Sequence, residues 1–425
     1  MNSRHVKYLL VGGGLAGSSA AEAIRRLDPH GSVLLVGQEI SRPYHRPPLS
    51  KEYLRRKASR ADLITLPIDW FREHDVELRT GWRVSYLDVN RAAVVIDNGE
   101  EVSYDRLLLA IGGAPRPLQI PGERLPNVHY LRTVEDADRI HHAVDKARTE
   151  GRQHDHGRGR AVVIGGELLG VEVAAALAPA GIAVDLVVSG AHPWAKFAGE
   201  NTGRFIARFL ETQRVNLHTS ARALSLDGDG RAQHVSLSTG QTLDCDFVIA
   251  ASGMVVNREI LRDTPIAAEN AILTDERCLT SVPNIYAAGD CAAVFDPLFG
   301  KHRHLDHWDN ARATGDIAGS NMAGGDERYS IVNNFFSDVL SLSMSAWGEA
   351  KQVDRRLWRG APNADAPGFV EIGIAADGRV AQVVRVGKVD DQDSLLSRLV
   401  ERRLQADGLE DHLRDPTRPL SALLG

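Results

Sequence analysis

Two glycine-rich turns, VGGGLAG at 11–17 and IGGELLG at 164–170, constrain the fold more than any other feature of the chain. Residues 7–36 read as strand, turn, helix and strand: KYLLV, GGGLAG, SSAAEAIRRLD and SVLLVG. Residues 161–188 repeat that order with AVVI, GGELLG, VEVAAALAPA and IAVDLVV. A buried strand that turns through glycines into a helix and returns to a second strand is the unit of a parallel, doubly wound sheet. Two such units predict an α/β fold with two nucleotide-binding lobes. RLLLAIGGAPRPL (106–118) adds another buried strand ending in a Gly/Pro turn.

At 425 residues, 43% of them hydrophobic, the chain can fill several cores. A net charge of −6 argues against a nucleic-acid partner. The apolar stretch 161–188 is broken by Glu167, Glu172 and Asp185, and KYLLVGGG lacks the architecture of a signal peptide. No membrane association is expected. Cys245, Cys278 and Cys291 form no CxxC pair, so a cytoplasmic protein without a disulfide framework is expected. RTEGRQHDHGRGR (148–160) reads as an exposed loop with no complete ligand set, and no metal site is expected.

The first turn carries the full fingerprint. Gly12 permits the tight turn, Gly14 lets backbone approach a pyrophosphate, and Gly17 brings helix against strand. Ala16 completes the contact segment, and Gln38 and Glu39 follow the second strand, where an acid accepts from ribose hydroxyls. The second turn departs from the pattern. Gly165, Gly166 and Gly170 stand, but Glu167 fills the middle position, ahead of Leu168. A carboxylate about 5 Å from a phosphate, at an effective dielectric of about 20, costs about 3 kcal/mol. Glu167 either caps its own helix, occupying the anion site, or acts on the cofactor directly. No acid stands at Val188, Ser189 or Gly190, and His192 and Lys196 are the nearest cations for a 2′-phosphate.

Four further segments carry a resemblance: RPYHRPPLSKEYL (42–54), LLLAIGG (107–113), TSVPNIYAAGDCA (280–292) and HWDNARATG (307–315). In this order they resemble the signatures of flavin-dependent ferredoxin and rubredoxin reductases and of apoptosis-inducing factor. The resemblance implies two three-layer ββα dinucleotide-binding domains of the glutathione-reductase-like type and a small C-terminal α+β domain. The FAD domain would span 1–119 and 247–325, the NAD(P) domain 120–246 and the C-terminal domain 326–425. It implies FAD contacts from Arg46, Lys51, Val84, Ala110, Gly112, Asp290 and Trp308. Asp290 would bond the ribityl chain and Lys51, paired with Glu172, would stand near flavin N5 as the catalytic cation. Glu172 and Gly253 would join the second turn at the NADH or NADPH site.

The implied activity passes electrons from NAD(P)H through FAD to a ferredoxin or rubredoxin, with no redox-active disulfide. The alternative is an FAD protein with a degenerate nicotinamide site that works as a redox-responsive assembly module or takes another donor. Phe336 and Val339 replace the Trp and Gln of the related F-W-S-D-Q segment, and Val256 replaces a proline. KHRHLDH (301–307) is read as a positive rim for an acidic carrier or as a solvated loop. From 367 onward, GFVEIGI, RVAQVVRVG and SLLSRLVERRLQA read as a small β-rich domain closed by a helix. A homodimer stays open.

Overall fold

A computed structural model describes residues 3–150, 159–361 and 368–424. Residues 151–158, most of the expected exposed loop, lie outside the described residues. The chain divides into two compact units. One comprises Met1–His45, Arg60–Ala114 and Met254–Ile331, the other Arg46–Ser59, Pro115–Gly253 and Val332–Gly425.

In the first unit, strand Ser3–Val11 runs parallel to Val33–Gly37 on one side and Glu101–Leu109 on the other. Val33–Gly37 is buried throughout, as strands covered on both faces must be. Val76–Thr80 extends the parallel sheet, and Ile285–Ala287 pairs with the last residues of Glu101–Leu109. That pairing brings the AGDC segment beside the LLLAIGG turn. Val84–Asp88 and Ala93–Ile96 continue from the other half of Glu101–Leu109 as an antiparallel meander.

Helix Leu15–Leu27 starts at the first glycine turn and packs backbone to backbone on helix Trp308–Met322. A Cβ at Gly315 would lie 2.4 Å from Ala16 O, and one at Gly319 would lie 2.4 Å from Ala20 O. The contact therefore fixes the helix that opens at Gly14.

The second unit repeats the parallel arrangement, in the order Val215–His218, Ala183–Val187, Arg160–Ile164, Phe247–Ala250 and Val128–Tyr130. Helix Leu168–Leu177 follows its glycine turn. The C-terminal part is a five-stranded antiparallel sheet with helix Asp393–Glu401. GFVEIGI and VAQVVRVG are two of its strands. Asn334–Val339, Leu342–Gly348 and Arg355–Arg359 complete it. The tail, silent in sequence, is held chiefly by carbonyl contacts to Arg359, with Arg402 donating to Leu424 O. Buried Arg359 ion-pairs with Asp391 and donates to the carbonyls of His412, Asp415, Pro416 and Arg418. The α/β architecture is the one the two turns predict, and the C-terminal α+β part is the one the resemblance implies. Among the described residues no helix is long and apolar enough to cross a membrane.

Candidate functional site

The first turn lies at the carboxyl end of its parallel sheet. Gly12 adopts φ +127°, and a Cβ there would meet Ala110 O at 2.0 Å, so only glycine fits. Gly17 allows Gly12 O to approach, since its Cβ would stand 2.1 Å from that oxygen. Gly14 is different: φ is −95°, and a Cβ would meet nothing within 4 Å. No side chain caps this helix, so its first N–H groups and its positive end face open space. The cradle fits a pyrophosphate.

Around it, Glu39 accepts a hydrogen bond from the Tyr44 hydroxyl at 2.5 Å, and Gln38 is exposed. The Gly81 and Trp82 amides donate to Glu39 O and Gly37 O, bringing the start of strand Val84–Asp88 toward the same turn. Gly112 has φ +62°. The Cys291 thiol donates to Leu109 O and Ala288 O, tying the AGDC and LLLAIGG segments together beside half-buried Asp290. Trp308 Nε1 donates to His45 Nδ1 at 3.0 Å, and burial, then Arg312, lower the His45 pKa.

The second turn copies the first in backbone. Gly165 adopts φ +135° with its missing Cβ 2.2 Å from Ala251 O, and a Cβ at Gly170 would lie 1.8 Å from Gly165 O. Glu167 has φ −90° and ψ −169°, against −95° and −169° at Gly14. The middle position therefore needs no left-handed residue, and glycine there supplies space alone.

The expected helix cap does not form: Glu167 occupies the N-cap, yet its side chain makes no capping bond. The carboxylate turns toward residues 192–196 instead. Oε2 is buried without a hydrogen-bond partner, and burial raises the pKa. The Lys196 ammonium and amide and, more weakly, His192 oppose that rise. The charge at the middle position of the turn is thus partly offset by its own chain.

The segment after strand Ala183–Val187 is tightly keyed. A Cβ at Gly166 would lie 2.4 Å from Val188 Cγ1, and the Trp194 amide donates to Gly166 O at 2.8 Å. Trp194 is fully buried at φ +60°, a conformation that costs a bulky residue about 1–3 kcal/mol and persists only where surroundings enforce it. Strand register pairs Val36 with Val11 and Val187 with Ile164, which places Gly190 where Glu39 stands in the first unit. Leu168 opens the helix, and Gly253 (φ +103°) accepts from the Arg116 amide at 2.9 Å.

Within the second unit, Lys51 and Glu172 come together. Lys51 Nζ lies 2.9 Å from Glu172 Oε1, with side chains 7% and 6% exposed. Pro47–Ser50 forms a short 3-10 turn that delivers Lys51 and also Ser50, whose hydroxyl donates to Glu172 Oε2. Ser337 donates to Oε1 at 2.6 Å. Both oxygens are satisfied, so the buried charges are compensated. The Lys51 ammonium also stands 5.7 Å from the Phe336 ring centroid, so Phe at this position keeps an aromatic face beside the cation. Arg46 donates to Arg132 O at 2.6 Å. Ser50 and Ser337 escaped sequence reasoning, because a lone serine carries no signal until its partner is known.

In KHRHLDH, Lys301, His302 and His304 are exposed, but Arg303 is not part of any exposed rim. Arg303 is buried, paired with Asp296 at 2.8 Å and laid over the Phe299 ring at 4.1 Å. His304 Nε2 stands 2.7 Å from Asp290 O, and burial pushes the His307 pKa down to about 4. Among the described residues no metal-binding cluster occurs. All three cysteines are buried, unpaired thiols, with burial raising Cys245 to about 12 and Cys291 to about 11.

A family model described as pyridine nucleotide-disulphide oxidoreductase matches residues 6–315. Rhodocoxin reductase of Rhodococcus erythropolis is 31% identical over 84% of this chain and 81% of its own length. The ferredoxin–NAD(+) reductase component of the p-cumate 2,3-dioxygenase system of Pseudomonas putida is 30% identical over 97% of each chain. Among solved structures, the reductase in a covalent putidaredoxin reductase–putidaredoxin complex superposes with a TM-score of 0.88 at 28% identity, covering 99% of this chain and 98% of that one.

Proposed function

The chain belongs to the pyridine nucleotide-disulphide oxidoreductase family, and from that membership we propose that it passes electrons from NADH or NADPH through FAD to a small iron–sulfur carrier of the ferredoxin or rubredoxin kind. The observation that carries this reading is the duplicated turn. Each unit closes a left-handed glycine, Gly12 or Gly165, against a strand-end carbonyl and opens a helix N-terminus, one for each dinucleotide.

In this reading Gly12, Gly14, Ala16, Gly17, Gln38, Glu39, Arg46, Val84, Ala110, Gly112, Asp290 and Trp308 hold FAD. Gly165, Gly166, Glu167, Leu168, Gly170 and Gly253 hold the nicotinamide dinucleotide. Bound FAD supplies the exchange between a two-electron donor and a one-electron carrier. The protein binds and orients both dinucleotides and keeps a cation, Lys51, fixed by Glu172. The three cysteines are buried, unpaired thiols, so the chain offers no disulfide to accept electrons, and the electrons pass to an external acceptor. The same unpaired thiols support a cytoplasmic location.

The alternative of a degenerate nicotinamide lobe has less support. Glu167 leaves the turn's backbone unaltered, and relatives matching nearly the whole chain are reductases by name. The test is a reconstituted assay with NADH, a purified [2Fe–2S] ferredoxin or a rubredoxin, and cytochrome c as the final acceptor. Cytochrome c reduction that depends on the added carrier is expected. Rates that ignore the carrier sink the acceptor assignment.

A further inference from the structure

The C-terminal sheet grips the segment that leads out of strand Ala183–Val187. Glu371, in strand Gly368–Ile374, has a side chain 0% exposed. Its two oxygens accept from the Gly199 amide at 2.9 and 3.2 Å, Oε2 also accepts from the Thr202 hydroxyl at 2.6 Å, and Arg356 pairs with Oε1. On the next strand, Gln382 Nε2 donates to Phe197 O at 2.9 Å, while its Oε1 accepts from Arg356 at 3.3 Å. Gly199 is required for this approach: a Cβ there would lie 2.6 Å from Arg356 Cδ and 2.9 Å from Glu371 Oε2.

The carboxylate thus sits at the start of helix Glu200–Thr212, where it takes the N-cap amide and the Thr202 hydroxyl and places negative charge at the positive end of the helix. The grip continues toward the glycine turn. The Ala198 amide donates to Trp194 O at 2.9 Å, the Trp194 amide donates to Gly166 O at 2.8 Å, and Lys196 acts on Glu167. His192 packs on the same helix start, since a Cβ at Gly203 would lie 1.9 Å from His192 Nδ1.

We propose that Glu371, Thr202 and Gln382 are positioning residues for the nicotinamide dinucleotide: through residues 194–199 the C-terminal sheet sets where Gly166, Glu167 and Lys196 stand, and so sets coenzyme affinity. This rests on reading the second turn as the nicotinamide site. A C-terminal sheet that only stabilised its own fold would need no polar side chains buried against that segment. Glu371 and Gln382 are the buried polar side chains of these two mostly apolar strands.

The test uses the FAD-loaded protein and three variants. Thr202→Val keeps shape and loses the hydroxyl, Thr202→Ser keeps the hydroxyl, and Gln382→Met keeps volume and loses the donor. Anaerobic stopped-flow reduction by NADH and by NADPH gives a coenzyme Kd and a limiting rate for each, beside FAD content and melting temperature. Thr202→Val and Gln382→Met are expected to raise Kd about tenfold with the limiting rate within about twofold, and Thr202→Ser to stay within about twofold of the parent. A lowered melting temperature with unchanged Kd, or a loss in limiting rate alone, overturns the proposal. If the parent protein is reduced by neither coenzyme, the functional reading fails and this proposal with it. A parent that is reduced, beside variants of unaltered Kd, sinks the positioning role alone.

Discussion

Replacing Glu167 by glycine is expected to tighten nicotinamide binding about tenfold. Unopposed, a carboxylate about 5 Å from the pyrophosphate would cost about 3 kcal/mol at an effective dielectric of about 20. Lys196 is the strongest charge favouring the ionised form and offsets part of that cost, and a tenfold gain corresponds to about 1.4 kcal/mol of it remaining. The backbone adds nothing, because φ −90° suits glycine and glutamate alike and glycine is an acceptable N-cap.

Glu167→Gln separates charge from bulk. If charge dominates, Gln gains nearly as much as Gly, and if bulk dominates only Gly gains. pH supplies a second handle. Burial raises the Glu167 pKa, so the repulsive carboxylate is fully present above that raised value and is discharged as pH falls through it. Coenzyme affinity of the wild type should therefore rise as pH falls toward the raised Glu167 pKa. Groups other than Glu167 are unchanged in Glu167→Gln, so the difference between the two curves belongs to Glu167. Titration with NAD+, followed by fluorescence quenching, gives the Kd. An unchanged or weaker Kd in Glu167→Gly, with a flat difference curve, would refute the reasoning and make the carboxylate harmless or a direct contact.

Three further outcomes follow from the geometry. Glu172→Ala leaves Lys51 buried without its carboxylate and should lower unfolding stability by about 3–5 kcal/mol in urea, whereas Lys51→Met with Glu172→Leu should cost less than the single change. Gly14→Glu transplants the second turn's side chain into the first, without a lysine known to oppose it, and should lower FAD occupancy after purification by at least about tenfold. The three cysteines should resist Ellman's reagent in the folded protein and react fully in guanidinium, and a thiol that titrates quickly in the native state would contradict their burial.

The fold was legible because its signals are local. A glycine that must take positive φ, followed by a helix and flanked by apolar runs, announces the lobe in a few residues, and Gly12 and Gly165 do so in tandem. The C-terminal strands were half legible. GFVEIGI and VAQVVRVG are mostly apolar runs, whereas RRLWR shows its strand only once Arg359 is seen to be buried by carbonyls far along the chain. The polar contacts were not legible, since Ser50, Ser337, Thr202 and Glu371 acquire meaning only from partners more than a hundred residues away. Arg303 misled for a related reason. A charge in a histidine-rich loop reads as surface until Asp296 and Phe299 are found beneath it. Glu167 was correctly flagged as out of place, but its direction was not encoded locally. It depends on Lys196, which a strained, buried Trp194 brings round.

The central claim is that this flavoprotein is reduced by a nicotinamide dinucleotide despite Glu167. Mixing the oxidised protein anaerobically with NADH, and separately with NADPH, and following flavin absorbance by stopped flow tests it most directly. Rapid bleaching by at least one coenzyme at micromolar concentration is predicted. A flavin that stays oxidised at millimolar levels of both, yet bleaches with dithionite, would contradict the account.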